Sequence, residues 1–370
     1  MNVLGFQTHR DHFAVAFTRG EMEARVRDMR NPALSDEQLR AKYGLRDNRD
    51  WRLAEARKKA ARTRPEDVFL DCLYRPFDVR PCYFSYEAMD YPRRELMDHV
   101  AGKANLCLLA SRQQGTVGFR HVFLSDSPAN DCVVSNRSRE ANQCFMLYQY
   151  PSNTKGQGDL LAAREKRPNL ADGFVEAVSE RLGLAFDAAA HRGLHRNSAP
   201  EPNESTWNPE DLFCYAYAVF HAPAYRQRYA EFLKVDFPRL PLTSDRELFF
   251  RLADLGEELV RLHLMHSPKL DDFLTRFPQA GTNIVERVRY QDGCVWINSA
   301  QCFEGVEEAD WNFHIGGYQV LAKWLKDRKG RTLSFDDIEH WQKIVVAIHE
   351  TRRLMADIDA AIPAWPLASD

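Results

Sequence analysis

The chain has 370 residues, 44% of them hydrophobic and 28% charged, and its formal net charge is −3. This composition is that of an ordinary globular protein, and the length allows two or three domains. Because no apolar run approaches the roughly 18 residues of a membrane helix and the N-terminus does not resemble a signal peptide, we expect a cytoplasmic protein.

The eight cysteines form no C-x-x-C pair, and most lie within apolar stretches. This pattern predicts buried reduced thiols rather than zinc ligands or disulfides.

Positive charge is concentrated in one part of the chain. Between Arg40 and Arg139 there are 19 Lys/Arg and 13 Asp/Glu, a balance of +6 that leaves −9 for the rest. A local basic face on an acidic chain suits site-specific contact with DNA. A solvated surface without a partner is compatible with the same count.

Residues 1–64 are predicted to form a connecting segment. Two short strands, Leu4–Gln7 and Phe13–Phe17, precede a helix at Glu21–Met29. Ser35 and Gln38 form a capping box for a second helix through Tyr43. A third helix is expected at Asp50–Arg62.

Residues 65–300 are predicted to be an α+β domain, with a mixed β-sheet as the core and inserted helices. A helix is expected at Arg93–Val100. Ser152–Asp159 and His191–Trp207 have the composition of loops. The short apolar or aromatic runs that predict strands are Val68–Leu73, Val79–Phe84, Leu106–Ala110, His121–Leu124 and Cys144–Tyr150.

The most distinctive element of this domain is a predicted helical hairpin at Asp211–Leu242. Helical spacing of apolar residues defines the first helix, and Pro223 is suited to the first turn of the second. Pro238 and Pro241 end the hairpin. The buried stripe of the second helix is predicted to be Tyr225, Tyr229, Phe232 and Leu233.

The chain is then predicted to continue with a helix at Asp245–Met265 and a β-hairpin formed by Asn283–Tyr290 and Cys294–Ile297. Residues 301–370 are predicted to be a helical C-terminal part of the same domain. It would contain a helix at Gly316–Lys326, a long helix capped by Ser334 and Asp337 that runs to Asp359, and a frayed tail at Pro363–Asp370.

Motifs of self-contained catalysis are absent from the sequence. It has no G-x-x-x-x-G-K-[ST] loop for nucleotides, no Asn/Asp-Pro-Pro-aromatic motif for a flipped base, and no glycine-rich S-adenosylmethionine loop. His263 and His266 are three residues apart but lack a carboxylate partner at helical spacing. We therefore expect no catalytic residue, metal or cofactor in this chain.

Two polar loops between predicted strands carry the side chains that read bases. Arginine pairs bidentately with guanine, and glutamine or asparagine with adenine. These residues could equally be ordinary exposed turn residues, and Arg112 and Arg139 could brace the sheet. The base-reading candidates are Arg112, Gln113, Gln114, Arg120, Asn136, Arg137 and Arg139.

Other basic residues are candidates for phosphate contacts, which position a protein without reading sequence. The compact cluster at residues 326–331 could instead complement the dipole of the preceding helix. The phosphate candidates are Arg75, Arg80, Arg93, Arg94, Lys326, Arg328, Lys329 and Arg331.

Three stretches of the sequence resemble, in order and spacing, the C-terminal specificity region of type ISP restriction–modification enzymes. They are Tyr217–Leu242, Asp310–Asp359, and Tyr74–Arg80 together with Pro92–His99 and Asn105–Gln113. The resemblance implies a target-recognition region that binds double-stranded DNA beside an N6-adenine methyltransferase and a helicase-like translocase with a nuclease. The complete enzyme would use S-adenosylmethionine, ATP and Mg²⁺.

The sequence thus predicts a DNA target-recognition module. A second hypothesis is a module that docks onto the methyltransferase or a coupling domain through Tyr217–Phe232 and Gly316–Leu325 without contacting DNA. A third is a nuclease that uses dispersed carboxylates, such as Asp71, Asp78 and Glu95.

Overall fold

Short helices and strands alternate through the first two thirds of the chain, and one long helix ends it. A computed structural model describes residues 3–116, 118–137, 139–151, 166–194 and 205–367. Its α-helices are α1 Asp11–Ala14, α2 Arg19–Arg30, α3 Asp36–Tyr43, α4 Leu53–Ala60, α5 Arg94–Met97, α6 Asp172–Leu182, α7 Pro209–His221, α8 Pro223–Arg228, α9 Ala230–Leu233, α10 Arg246–His263, α11 Glu308–Trp311, α12 Val320–Asp327 and α13 Phe335–Ala361. Its strands are β1 Val3–Leu4, β2 Phe69–Arg75, β3 Asp78–Tyr83, β4 Cys107–Ser111, β5 Val122–Ser125, β6 Asn142–Met146, β7 Tyr148–Gln149, β8 Arg167–Pro168, β9 Ala185–Phe186, β10 Thr206–Trp207, β11 Arg289–Gln291, β12 Cys294–Trp296, β13 Cys302–Glu304, β14 His314–Ile315 and β15 Tyr318–Gln319.

The largest sheet of the described residues has four antiparallel strands in the order β1-β6-β4-β5. Ala110 of β4 lies opposite Val122 of β5, and Ser111 lies opposite Asn142 of β6. The end of β4 and the starts of β5 and β6 therefore meet at one edge of the sheet. The predicted α+β class is confirmed, and the described strands also pair in parallel at β9 and β10.

The helical part is built around α7, which packs against α10 and α13. A buried polar chain crosses the three helices, since the Tyr217 hydroxyl lies 2.5 Å from Nδ1 of His263 and the Thr351 hydroxyl lies 2.8 Å from its Nε2. Burial lowers the pKa of His263 to about 3, so the imidazole is neutral at physiological pH. Because both ring nitrogens already have partners, His263 is unsuited to hold a metal with His266.

A close approach of two backbones sets the spacing between α7 and α10. A Cβ on Gly256 would lie 1.9 Å from the carbonyl oxygen of Cys214. We expect Gly256→Ala to lower the free energy of unfolding by about 3 kcal/mol, the upper part of the range for overpacked cores. Gly173→Ala in α6 is the matched control because a Cβ there would meet nothing within 4 Å. Denaturant unfolding that ranks the two substitutions equally would contradict this account.

Aromatic side chains join the helical part to the sheet. Phe123 of β5 stacks on His263 at a centroid distance of 5.1 Å, and Phe77 packs edge-on against both rings. The hydrophobic core is continuous across the segments 1–64, 65–300 and 301–370. The boundaries proposed from the sequence remain a prediction.

Helix starts that depend on local chemistry are confirmed. Ser35 and Ser334 each accept a hydrogen bond from the backbone three residues later, and both complete capping boxes. Asn208 caps α7 in the same way, with Asp211 as its reciprocal partner. These contacts involve neighbours in sequence, which is why the pattern of residue types was sufficient to predict the boxes at Ser35 and Ser334.

Several predicted elements differ from the structure. The strand expected at Asn283–Tyr290 is present only as β11, Arg289–Gln291. The strand expected at Phe13–Phe17 is not formed, because its first two residues belong to α1. Just after α1, the amide of Ala16 donates to the carbonyl of Pro81 in β3. The expected helix at Gly316–Lys326 begins only at Val320. Before it, β14 and β15 form a hairpin whose turn is Gly316–Gly317.

Two predictions of exposure are also wrong. Phe232, placed in the buried stripe of the hairpin, is 73% exposed. The tail predicted to fray is anchored up to residue 367, since Trp365 packs on Tyr225 at 5.6 Å and Leu367 is buried. The tail is held because Trp365 packs on the aromatic face that Tyr225 and Tyr229 present.

The described residues bear out the expectation for the thiols: all eight cysteines are free, and six are buried. No described helix is long and apolar enough to cross a membrane. The loop predicted at Ser152–Asp159 lies outside the described residues, as do residues 195–204 of the loop predicted at His191–Trp207.

Candidate nucleic-acid interface

Two loops that are distant in sequence lie together at one edge of the central sheet. Residues 112–121 connect β4 to β5, and residues 134–141 lead into β6, which pairs with the other side of β4. The antiparallel order therefore brings both ends of the first loop and the end of the second to the same edge. We call these the first loop and the second loop.

One buried carboxylate holds the two loops against each other. Oε1 of Glu140 accepts hydrogen bonds from the amides of Gly115 (2.7 Å) and Thr116 (3.1 Å). Its Oε2 accepts from the Ser135 hydroxyl (2.5 Å) and lies 3.2 Å from Nε2 of His121. Glu140 is 1% exposed. Its side chain is thus the brace between the first loop and the second.

The protonation states of this brace follow from its surroundings. Burial alone would raise the pKa of Glu140, but hydrogen bonds from Ser135 and Gly115 outweigh it and the pKa lies below its ordinary value. Burial lowers the pKa of His121 despite the carboxylate beside it. A neutral imidazole therefore donates to an ionised carboxylate at physiological pH.

The hairpin of β14 and β15 closes the brace from the third side. The amide of Gly316 donates to the carbonyl of Arg120 (2.6 Å), and the amide of Gly317 donates to that of Val134 (2.9 Å). Gly316 has φ of +53°, and a Cβ there would lie 1.9 Å from the carbonyl oxygen of Val134. Glycine is required because the backbones touch in a left-handed conformation.

Most base-reading candidates are exposed on these two loops, while Gln114 is half-buried. Arg112 and Asp236 form an ion pair at 3.3 Å, and both side chains are exposed. Such a surface pair is weak, so Arg112 can leave it for another partner. Burial and the nearby Arg120 lower the pKa of Arg226 to about 10, so the Arg226 guanidinium remains cationic at neutral pH. The exposed candidates are Arg112, Gln113, Arg120, Asn136, Arg137 and Arg139.

Three of the phosphate candidates lie inside the protein instead. Asp78 is 2% exposed and accepts hydrogen bonds from Arg80 (3.0 Å) and Arg328 (3.1 Å). Arg75 is 8% exposed and donates to Asn130 (3.0 Å). The structure therefore removes Arg75, Arg80 and Arg328 from the candidate surface, because a guanidinium engaged in the core does not reach a phosphate.

The remaining phosphate candidates are divided among several elements. Arg93 is half-buried, and Arg94 pairs with Asp98 at 3.1 Å in α5. Arg331 pairs with Glu21 at 2.6 Å. Lys326 in the last turn of α12 and Lys329 just after that helix are exposed. Their phosphate contacts remain a prediction.

A separate group of side chains has the composition of a metal site. Glu307, Asp310 and His349 place ligand atoms within 4.8 Å of one another. Arg352, however, donates to both carboxylates, at 3.2 and 2.5 Å. Because this guanidinium already balances their charge, the group is better suited to fixing α11 on α13 than to holding a cation.

The sequence did not reveal the residues that assemble the surface. Glu140 was overlooked because its partners come from two loops that the sequence does not place together. Gly316 and Gly317 were assigned to a helix, although two adjacent glycines are a signal for a turn. That dipeptide was the one local feature that could have located the third segment.

Comparisons with known proteins agree over nearly the whole chain. A family model described as "Type ISP C-terminal specificity domain" matches residues 1–357. No curated protein matches.

Solved structures share the fold. The chain matches "cryoEM structure DrdV-DNA complex" with a TM-score of 0.71 and 20% identity, over 100% of this chain and 36% of that one. It matches "ATP-dependent Type ISP restriction-modification enzyme LlaBIII bound to DNA" with a TM-score of 0.68 and 15% identity, over 99% and 23%. It matches "Structure of a nuclease-deletion mutant of the Type ISP restriction-modification enzyme LlaGI in complex with a DNA substrate mimic" with a TM-score of 0.65 and 16% identity, over 100% and 33%.

Proposed function

Because this chain belongs to the family of type ISP C-terminal specificity domains, we propose that it reads a DNA sequence through the first and second loops. The observation that carries the proposal is the braced pair of loops at one sheet edge, with arginine and amide side chains exposed on both. Such side chains distinguish guanine and adenine in the major groove. A rigid support is what lets a few contacts discriminate between sequences.

The proposal assigns this chain the role of recognition within a restriction–modification enzyme. It would hold duplex DNA in register for an adjoining N6-adenine methyltransferase and a translocating nuclease, as two of the similar structures bear type ISP names and all three contain DNA or a DNA mimic. The chain spans 23–36% of those chains. We propose that it is not itself catalytic, and that S-adenosylmethionine, ATP and Mg²⁺ serve other parts of the cytoplasmic enzyme.

The alternatives have less support in the structure. The segment Gly316–Leu325, proposed for docking, contributes Leu321, Trp324 and Leu325 to the interior of this chain. Of the carboxylates considered for a nuclease, Asp78 is held between two guanidiniums. Leu321, Trp324 and Leu325 are therefore not available to a partner, and Asp78 is not available to a metal.

Affinity for duplexes enriched from a random library tests the proposal. We expect Arg120→Ala and Arg139→Ala each to weaken binding of enriched duplexes by about tenfold in fluorescence anisotropy, with little change for the unselected library. Arg62→Ala is the matched control because Arg62 is an exposed arginine just after α4. Equal weak affinity of the unaltered chain for both pools across a salt series would refute the function.

A further inference from the structure

We propose that the turn formed by residues 229–237, here called the aromatic corner, is a third part of the DNA-reading surface, and that Phe232 contacts base edges there. This inference rests on the proposed function and adds an apolar contact to the polar ones of the two loops. In the major groove, the thymine methyl group is the natural partner of an apolar side chain.

The exposure of the aromatic corner is the first observation. Phe232 is 73% exposed and Val235 is 63% exposed. Among the large apolar side chains of the described residues, only Phe335 is more exposed, at 77%. Two such side chains three residues apart form an apolar tip, which is typical of surfaces that contact a partner.

Direct bonds join the aromatic corner to the first loop. The amide of Gln114 donates to the carbonyl of Lys234 at 3.2 Å. The guanidinium of Arg112 lies 3.3 Å from the carboxylate of Asp236. A duplex that meets the base-reading candidates of the first loop therefore comes close to Phe232 as well.

The aromatic corner is anchored from below. Leu233, next to Phe232, is 2% exposed. The hydroxyl of Tyr225 donates to the carbonyl of Arg239 at 2.8 Å, and Phe237 packs edge-on against Phe145 of β6 at 5.3 Å. The tip is therefore held by the same sheet that carries the two loops, so little ordering is needed on binding.

The charges around the tip favour DNA over an apolar protein partner. Arg228, Lys234 and Arg239 are exposed beside it. Two carboxylates offset part of this charge: Glu231 pairs with Lys234 at 2.6 Å, and Asp236 pairs with Arg112 of the first loop at 3.3 Å. An apolar side chain within a cationic rim is the arrangement of groove-binding proteins, in which cations meet the backbone and the apolar group meets the bases.

The test uses the whole chain with two DNA probes, duplexes that the unaltered chain enriches from a random library and the unselected library itself. We expect Phe232→Ala to weaken binding of enriched duplexes by about tenfold and to leave binding of the library within about twofold. Phe335→Ala is the matched control and should change neither. Lys234→Ala should weaken both pools alike and lower the salt dependence.

The possible results separate this inference from the proposed function. Failure of the unaltered chain to enrich any duplex would refute the function itself. If the unaltered chain enriches duplexes but Phe232→Ala binds them as well as Phe335→Ala does, only the role of Phe232 is overturned. The same holds if Phe232→Ala loses affinity equally for the enriched duplexes and the library. If Phe232→Ala unfolds at a lower temperature than Phe335→Ala, Val235→Ala decides. It should retain stability and lose about threefold in binding enriched duplexes only, and no such loss would also overturn the inference.

Discussion

Replacing Asp78 by asparagine is expected to lower the free energy of unfolding by about 3–5 kcal/mol, the cost of removing one partner from a buried ion network. The Asp78 carboxylate is the shared partner of Arg80 and Arg328, and both guanidiniums are less than 10% exposed. Asparagine keeps the shape of the side chain but loses the charge. Two buried cations would then repel each other without the anion between them.

The pKa values support the same conclusion. Burial alone would raise the pKa of Asp78, but the two guanidiniums outweigh burial and hold the pKa at about 2. The pKa of this carboxyl is depressed by folding, so its stabilisation is present above the unfolded pKa near 3.8 and is lost as the pH falls toward 2. The substitution should therefore matter most at neutral pH.

Asp98→Asn is the control for Asp78→Asn. Asp98 pairs with Arg94 in α5, but both side chains are almost half exposed, so the expected loss is below about 1 kcal/mol. Denaturant unfolding at neutral pH compares the two. If Asp78→Asn unfolded like the unaltered chain but bound DNA differently, Arg80 and Arg328 would have to face the DNA after all.

The burial of Arg80 and Arg328 shows where prediction from sequence ends. Both lie in basic stretches that are typical of phosphate-binding segments, and 250 positions separate Asp78 from Arg328. Each guanidinium also stacks on an aromatic ring, Arg80 on Phe17 at 4.0 Å and Arg328 on Trp324 at 3.3 Å. Only their pairing with Asp78 in the folded chain shows that these two cations lie in the core and not on the surface.

Local chemistry, by contrast, was sufficient for much of the framework. The caps at Ser35 and Ser334 depend on residues three positions away, and the corresponding helices begin there. The hairpin of β14 and β15 was missed because the helical periodicity of α12 was extended backwards over Gly316. Its turn is selected by a contact with Val134, which lies far away in sequence.

For the two loops of the interface, local sequence predicted some features, and tertiary pairing determined others. Each was predicted from its own composition, and the exposure of Arg112, Arg120 and Arg139 agrees with a surface role. Their proximity follows from the pairing of β4 with β6, which joins residues from Ser111 and Asn142, 31 positions apart, to Cys107 and Met146, 39 positions apart. The Glu140 brace joins the two loops into one surface, and it could be recognised only after the pairing of β4 with β6 was known.

Replacing Glu140 by alanine is therefore expected to separate the first loop from the second. The amides of Gly115 and Thr116 and the Ser135 hydroxyl would lose their shared acceptor. Of the donors to Glu140, the Ser135 hydroxyl and the His121 ring are fully buried, whereas Gly115 is exposed and Thr116 is half-buried. Because a buried donor without a partner costs about 1–3 kcal/mol, we expect a loss of about 2–5 kcal/mol in the free energy of unfolding. Amide hydrogen exchange should accelerate at Gly115 and Thr116, which reports the loss of the brace directly.

The same substitution should reduce the affinity for specific sequences more than the non-specific affinity for DNA. Glu140 is buried and cannot itself touch DNA, so it acts by positioning the arginines on either side. We expect Glu140→Ala to weaken binding of enriched duplexes at least about tenfold and to leave binding of the unselected library nearly unchanged, because phosphate contacts tolerate displaced loops and base contacts do not.

The affinity of Glu140→Gln for enriched duplexes should lie between those of the unaltered chain and Glu140→Ala, since one oxygen remains to accept the hydrogen bonds of the two amides. Asp236→Asn, which removes only an exposed pair with Arg112, should change stability little. If hydrogen exchange accelerated in Glu140→Ala while discrimination stayed intact, the two loops would not be the reading surface.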